Sequence, residues 1–214
     1  MKWDYEFDVV VVGTGNGALT SALCSHDGGA KTLVIEKSDQ YGGTSATSGG
    51  GVWIPNNRYA KAENVDDSDQ DARDYINSVS PEGKIKAELI ETYISEGPKM
   101  IDYLHENSQV KYRNLAHYPD YFPDNPGGKE GNRSMEPEPI NGTQLGNDLG
   151  KLREQHPQTA FTMGPINMNF TQVEGQLLLG ALPGWKTLFA KLFTKYILDL
   201  PMRLKWGWKD RRLT

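Results

Sequence analysis

The stretch Phe7-Asp8-Val9-Val10-Val11-Val12-Gly13-Thr14-Gly15-Asn16-Gly17-Ala18 decides the fold. Residues 7–12 are a short β-branched run closed by glycine, which reads as a buried strand in a parallel pair. Ala18, Leu19, Ala22 and Leu23 recur at helical spacing, so residues 15–27 read as a helix. Lys31-Thr32-Leu33-Val34-Ile35-Glu36 then makes a second strand. Strand, helix and strand in this order are one βαβ unit at the start of the chain. Cys24, the sole cysteine, falls on the apolar part of that helix and is expected in its core.

The turn between first strand and helix carries chemistry. Gly13 allows a tight turn, Gly15 lets a pyrophosphate approach the backbone, and Ala18 in the third glycine's place still permits close helix–strand packing. Asn16 and Gly17 open the helix, whose unpaired N–H groups and positive dipole end favour phosphate. Glu36 ends the second strand, 21 residues after Gly15, with Lys37 beside it. Its carboxylate can accept both ribose hydroxyls and would repel a 2′-phosphate. An ordinary glycine-rich turn is the bland alternative. The coincidence of strand, turn, helix, strand and terminal acid favours a dinucleotide site instead.

The next segment points to FAD rather than NAD. Tyr41-Gly42-Gly43-Thr44-Ser45-Ala46-Thr47-Ser48-Gly49-Gly50-Gly51-Val52 follows the acidic strand end directly, where an NAD domain would run on through further βαβ units. Small residues and hydroxyls there can pass close under a flavin and donate backbone N–H groups to phosphate and ring edges. A flexible linker is the competing reading. Tyr41 on one side and Trp53-Ile54-Pro55 on the other argue for packing.

Ser68 with Asp71 three residues on reads as a capping box opening a helix over 69–79. Pro81 reads as the first turn of another, with Ile85, Leu89, Tyr93 and Ile94 as its apolar face. Gly97-Pro98 is expected to break it, a third helix following to about residue 107. Eight of the twelve prolines lie between 115 and 183, which reads as long irregular loop. Helical periodicity returns over 184–200. There Trp185, Leu188, Phe189, Leu192, Phe193, Tyr196, Ile197 and Leu200 share one face, with Lys186, Lys191, Lys195 and Asp199 opposite.

Taken together, Gly13-x-Gly15-x-x-Ala18, Glu36-Lys37, Gly42-Gly43-Thr44-Ser45 and Ser48-Gly49-Gly50-Gly51-Val52-Trp53-Ile54-Pro55 resemble the fumarate reductase/succinate dehydrogenase flavoprotein superfamily. Within it, Gly-Gly-x-Val-Trp-x-Pro and Tyr118-Pro119-Asp120-Tyr121-Phe122 resemble the 3-ketosteroid 1-dehydrogenases. The resemblance covers residues 7–125, thins, and returns at Asp210-Arg211-Arg212-Leu213. It implies an α/β fold: a Rossmann-like FAD-binding βαβ unit followed by helices and long loops, incomplete relative to the family. Residues 1–125 would be the N-terminal portion of the FAD-binding domain, and 126–214 a loop-rich insertion with an amphipathic helical segment. The family is more than twice as long, so the resemblance implies an N-terminal piece that does not turn over steroid alone.

The implied reaction removes a proton alpha to a ring ketone and passes a hydride to flavin N5. Tyr121 matches a family tyrosine that lines the catalytic cavity beside the base, and that assisting role is carried onto it. An aromatic loop anchor between Pro119 and Pro123 is the alternative. The partners implied are a steroid-like ketone and an external electron acceptor, since no second nucleotide motif follows. A relative reducing an enoate, or a non-catalytic nucleotide-binding remnant, are the rival readings.

Composition excludes other classes. One cysteine rules out a disulfide framework, and His26, His105, His117 and His156 share no metal spacing. The net charge of −5 gives no reason to expect nucleic acid. No apolar run reaches the ~18 residues of a membrane span, and the acidic N-terminus has no signal-type stretch, so the cytoplasm is the default expectation. Charge is uneven: Lys186 to Arg212 holds eight basic residues against Asp199 and Asp210, a net +6 that leaves −11 elsewhere. With the apolar stripe, this raises a peripheral membrane contact through 184–212; packing on its own domain is the alternative.

Overall fold

A computed structural model describes residues 3–156, 162–163 and 168–208. The Asp210–Leu213 motif and the basic residues Lys209, Arg211 and Arg212 lie outside them. The described residues pack as two units. One comprises those up to Gly50, those within 141–169 and those from Leu198 on; the other comprises 51–140 and 170–197.

The first unit is built on the expected βαβ motif. Strands β1 (Val9–Val12) and β2 (Thr32–Ile35) pair in parallel, in register from Val9 opposite Thr32 to Val12 opposite Ile35. Helix α1 (Asn16–Asp27) packs against both. The α/β reading therefore holds, but the expected burial of the first strand does not. Val10 and Val12 are 52% and 77% exposed, because this sheet has two strands among the described residues and α1 covers one face. Cys24 is likewise exposed rather than in a core, and α1 buries none of its residues.

After β2 the chain enters the short helix α2 (Gly43–Thr47). A stretch expected as loop pairs beside it. Two 3-10 turns spanning Gly142–Lys151 meet at Gly146, and the chain beyond joins Tyr41 in a parallel bridge through Leu152. Tyr41 N–H donates to the Lys151 carbonyl at 2.9 Å, and Arg153 N–H donates to the Tyr41 carbonyl at 2.9 Å.

The second unit holds an antiparallel sheet in the order β3 (Val52–Trp53), β5 (Ser134–Pro137), β4 (Tyr112–Asn114). Helix α3 (Arg58–Ala62) is capped by Asn57, whose Oδ1 accepts from the Tyr59 and Ala60 N–H groups at 3.0 Å. Helix α4 (Asp69–Val79) starts where the sequence places it, with the Ser68 hydroxyl accepting from Asp71 N–H at 3.1 Å. The box is incomplete: the Asp71 carboxylate takes the Ser68 hydroxyl proton instead of its N–H. The reciprocal version closes at Thr171 and Glu174, opening α6 (Gln172–Leu179). The first N–H groups of α6, on Gln172 and Val173, donate to the buried Glu136 carboxylate at 2.7 and 3.1 Å.

Helix α5 (Ala87–Asn107) corrects two expectations. Pro81 opens a turn, not a helix, with Lys84 N–H donating to the Pro81 carbonyl. Gly97-Pro98 does not break the helix, although Pro98 supplies no N–H to the Ile94 carbonyl. Burial on both sides carries it through. Ile90 and Ile94 pack with Ala72, and Ile101 packs with Ile54, Tyr112 and Met135. Gly97 lies between them, where a Cβ would stand 3.3 Å from Ile54 Cδ1. The buried face is thus Ile90, Ile94, Gly97, Ile101 and Leu104, one residue off the expected stripe; Leu89 and Tyr93 are exposed. Positions 3.6 residues apart through Ile94 include 90 and 101 but not 89 or 93.

Strands β6 (Thr162–Met163) and β7 (Met168–Asn169) pair antiparallel. Helix α7 (Trp185–Trp206) outruns its expected end through Pro201. Its apolar stripe divides: Leu192 and Tyr196 are buried, whereas Phe189, Phe193 and Ile197 are exposed. Arg203, one of the eight basic residues counted between Lys186 and Arg212, is 1% exposed and donates to the Trp208 carbonyl at 3.0 Å.

Candidate functional site

In the first unit the two glycine-rich segments meet. Gly13, at φ 96°, turns the chain out of β1 in a conformation that disfavours a side chain, and its N–H donates to the Ile35 carbonyl at 2.7 Å. Gly42 repeats this at φ 106°, where a Cβ would fall 2.6 Å from Ala46 Cβ. A Cβ on Gly43 would stand 3.3 Å from Gly15 Cα, so the second turn packs backbone to backbone on the first. The Ser45 hydroxyl accepts from Asn16 N–H at 3.0 Å, occupying one of the helix N–H groups expected to face phosphate.

Between these segments lies a groove of about 310 Å³ lined by Gly13, Thr14, Gly15, Glu36, Lys37, Gln40, Gly43, Thr44 and Arg153, with Val12 at its edge. Glu36 is held from two sides: its Oε2 accepts from the Thr14 hydroxyl and its Oε1 from Ser38 N–H at 3.1 Å. The Thr14 hydroxyl bond, and after it the Ser38 N–H, keep its carboxyl below the ordinary glutamate range. An anionic acceptor at the strand end, cations Lys37 and Arg153, and open backbone at Gly13 and Gly15 form one wall. That donor set fits the ADP half of a dinucleotide.

Of the expected binding residues, Gly13, Gly15, Glu36, Lys37, Gly43 and Thr44 line this groove; Asn16, Gly17 and Ala18 follow in the first turn of α1, and Gly42 and Ser45 belong to the start of α2, outside the lining. Ser48, Gly49 and Gly50 continue the same chain outside its lining, with Gly50 N–H donating to Ser48 Oγ at 3.1 Å. Gly51 and Val52 belong to the second unit, Val52 pairing with Met135. Sequence reasoning missed Thr14, which sits at an unspecified position of the motif. It also missed Arg153, which lies in a proline-rich stretch without periodicity and offered no signal.

In the second unit, an apolar pocket of about 300 Å³ is lined by Trp53, Tyr75, Ile76, Val79, Tyr118, Pro119, Asp120, Tyr121 and Ser134. Beneath it Arg133, 1% exposed, bridges two buried carboxylates: Nη2 to Asp67 at 2.7 Å and Nη1 to Asp120 at 2.9 Å. Its guanidinium also lies over the rings of Trp53 and Tyr75, 5.5 and 5.7 Å from their centroids. Trp53 Nε1–H donates to Asp120 at 2.6 Å, and Trp53 stacks on Tyr93. Although Tyr93 as a whole is exposed, desolvation of its phenol raises that group's pKa; the phenol stays protonated and donates to the Trp53 carbonyl.

The loop carrying Tyr121 is thereby pinned. Asp120 accepts from Lys129 N–H at 3.0 Å, and Asp120 N–H donates to the Lys129 carbonyl at 2.9 Å. A Cβ on Gly131 would stand 2.1 Å from the Ala116 carbonyl oxygen, so this proline- and glycine-rich stretch is close-packed. Tyr121 projects from it, 84% exposed.

A glycine turn, an acidic strand end and a second glycine turn sharing one groove define a flavin-nucleotide domain. Residues 8–189 match the FAD binding domain family, so the chain belongs to that family and FAD is its cofactor. Glu36 would hold the adenosine ribose, and the Gly13–Gly15 and Gly43 backbone the pyrophosphate.

The relatives bear out the narrower resemblance. The chain is 38% identical over 168 residues to 3-oxosteroid 1-dehydrogenase of Mycolicibacterium smegmatis, covering 78% of this chain and 29% of that protein. It is 37% identical over 157 residues to 4-oxocyclohexanecarboxylate 2-dehydrogenase of Sinomonas cyclohexanicum, covering 73% and 27%. A solved structure, 3-ketosteroid delta1-dehydrogenase from Sterolibacterium denitrificans in complex with 1,4-androstadiene-3,17-dione, superposes with a TM-score of 0.84 at 37% identity. That match covers 97% of this chain and 36% of the other. The chain spans about a third of the length of these relatives.

Proposed function

We propose that this chain is the FAD-binding portion of a dehydrogenase that oxidises a CH–CH pair beside a ring ketone, with a 3-ketosteroid as substrate. The observation that carries this reading is the convergence of Glu36, the two glycine turns, Lys37 and Arg153 on one groove in a chain so similar to ring-ketone dehydrogenases. FAD, when bound, accepts the hydride. The chain's own residues orient the nucleotide, with Glu36 at the ribose and the glycine backbone at the phosphates. The proposed division is between an N-terminal FAD-binding portion, residues 1–125, and a loop-rich insertion with its helical segment, 126–214, which lends Arg153 to the groove. Ser48, Gly49, Gly50, Gly51 and Val52 are assigned to the flavin end of the site.

Tyr121 is assigned an assisting role beside the catalytic base. It is exposed at an apolar aromatic pocket, on a loop pinned by Asp120. Electrons leave to an external acceptor. In the intact enzyme, Tyr121→Phe is expected to lower turnover of a 3-ketosteroid with an artificial acceptor by about 10- to 10⁴-fold, with flavin content retained. Wild-type turnover would make Tyr121 a loop anchor. Faster turnover of a cyclohexanone carboxylate than of the steroid would move the substrate to the smaller ring ketones.

A peripheral membrane contact through 184–212 is the finer reading of α7. The exposed residues Phe189, Phe193 and Ile197, four apart, support it. No described helix is long and apolar enough to cross a membrane.

A further inference from the structure

We propose that Thr14 is a positioning residue for the nucleotide. Its hydroxyl ties the Glu36 carboxylate to the Gly42–Gly43 turn, so that the ribose end and the phosphate end of the groove are set as one unit. This rests on reading the groove as the FAD site.

The bond directions follow from donor chemistry. Gly42 N–H can only donate, and it donates to Thr14 Oγ1 at 2.9 Å. The Glu36 carboxylate, when ionised, can only accept, so the single hydroxyl proton of Thr14 goes to its Oε2. The chain Gly42 N–H to Thr14 hydroxyl to Glu36 carboxylate therefore has one polarity and no competing arrangement. It joins residues 28 and 22 positions apart. Thr14 is 7% exposed, and its β-branched side chain has few rotamers open to it, so little freedom remains in the link.

The link matters at both ends. Displacing Gly42 displaces Gly43, which packs on Gly15 where a pyrophosphate would lie. Releasing Glu36 leaves its carboxylate held by Ser38 N–H without the Thr14 donor. A valine has nearly the same shape as threonine and can make neither bond. A serine makes both.

The test measures ADP and FAD affinity by calorimetry, with thermal unfolding alongside, in the full chain carrying Thr14→Val or Thr14→Ser. Thr14→Val is expected to weaken both ligands by about 10-fold or more, the loss of a hydrogen bond to a charged group, with Thr14→Ser within about 3-fold of wild type. In a double-mutant cycle with Glu36→Gln the two losses are expected to be non-additive, because one acts through the other. A Thr14→Val protein that unfolds earlier yet binds ADP as wild type does would overturn the proposal, as would fully additive losses. Should the valine variant fail to fold, Thr14→Ala and Thr14→Cys carry the same comparison. Wild-type protein that binds neither ADP nor FAD would remove the FAD reading itself; wild-type binding left unchanged by these variants removes Thr14's role alone.

Discussion

The partners of the Glu36 carboxylate are arranged to keep it ionised. The Thr14 hydroxyl and the Ser38 N–H stabilise the anion, and the cations Lys37 and Arg153 line the same groove. A carboxyl held below its ordinary range in the folded state favours folding above the unfolded-state pKa, and this contribution is lost as pH falls through the folded-state value. On the proposed ribose role of Glu36, nucleotide binding should follow the same direction. ADP affinity is expected to persist below the ordinary glutamate pKa and then to decline on further acidification. Glu36→Gln should lower affinity at neutral pH and flatten that acid limb; calorimetric titrations across the acid range check both. An unchanged acid limb in Glu36→Gln would place the titrating group elsewhere.

At the scale of elements, the Arg133 cluster joins the sheet of the second unit to the loop bearing Tyr121. Arg133, just before β5, meets Asp67 ahead of α4 and Asp120 in the loop, all three side chains nearly fully buried. The two carboxylates are further satisfied by Asn56 N–H at 2.7 Å, Ser68 N–H at 3.0 Å and Trp53 Nε1–H. Removing the cation leaves two buried anions facing each other. Arg133→Met is therefore expected to destabilise by about 3–5 kcal/mol, read from urea unfolding, despite its similar apolar volume. A loss under about 1 kcal/mol would mean that water reaches the carboxylates, as in exposed pairs.

At the scale of the whole molecule, β1 and α7 are among the elements that leave apolar side chains exposed. Val10 and Val12 face outward from a two-stranded parallel sheet, an arrangement that ordinarily has cover on both faces. Phe189, Phe193, Ile197 and Leu204 do the same on α7, with Lys186, Lys191, Lys195 and Lys205 on the same helix. For α7 the membrane reading makes a specific demand. Each basic residue near an anionic surface contributes roughly 1 kcal/mol, although buried Arg203 does not count. Flotation with vesicles containing anionic lipid is expected to carry the protein upward at low salt and to release it at high salt. Phe193→Asp should weaken that flotation. Equal behaviour with neutral vesicles would leave the stripe as a protein-facing surface.

Local signals were enough to place the nucleotide motif. A β-branched run, a glycine turn and helical spacing act over a few residues, and so β1, α1, β2, the Gly13 turn and the Ser68 cap stand where the sequence puts them. The place of Glu36 in the groove was legible because it follows from ending a strand, a property of order along the chain. Other features depend on partners far away in sequence. Pro98 reads as a breaker until Ile54, Tyr112 and Met135 bury the turns after it and Ala72 those before it. Residues 116–133 read as loop because they are held by one buried guanidinium and close backbone contacts, neither of which leaves a periodic trace, whereas β5 and α6 further on overturn the loop expectation. Thr14 is tied to the second turn only by a hydrogen bond spanning 28 positions, and Arg153 reaches the groove beside a bridge from Tyr41 to Leu152. Motifs determined which cofactor the chain holds; long-range packing decided which further side chains hold the motifs in place.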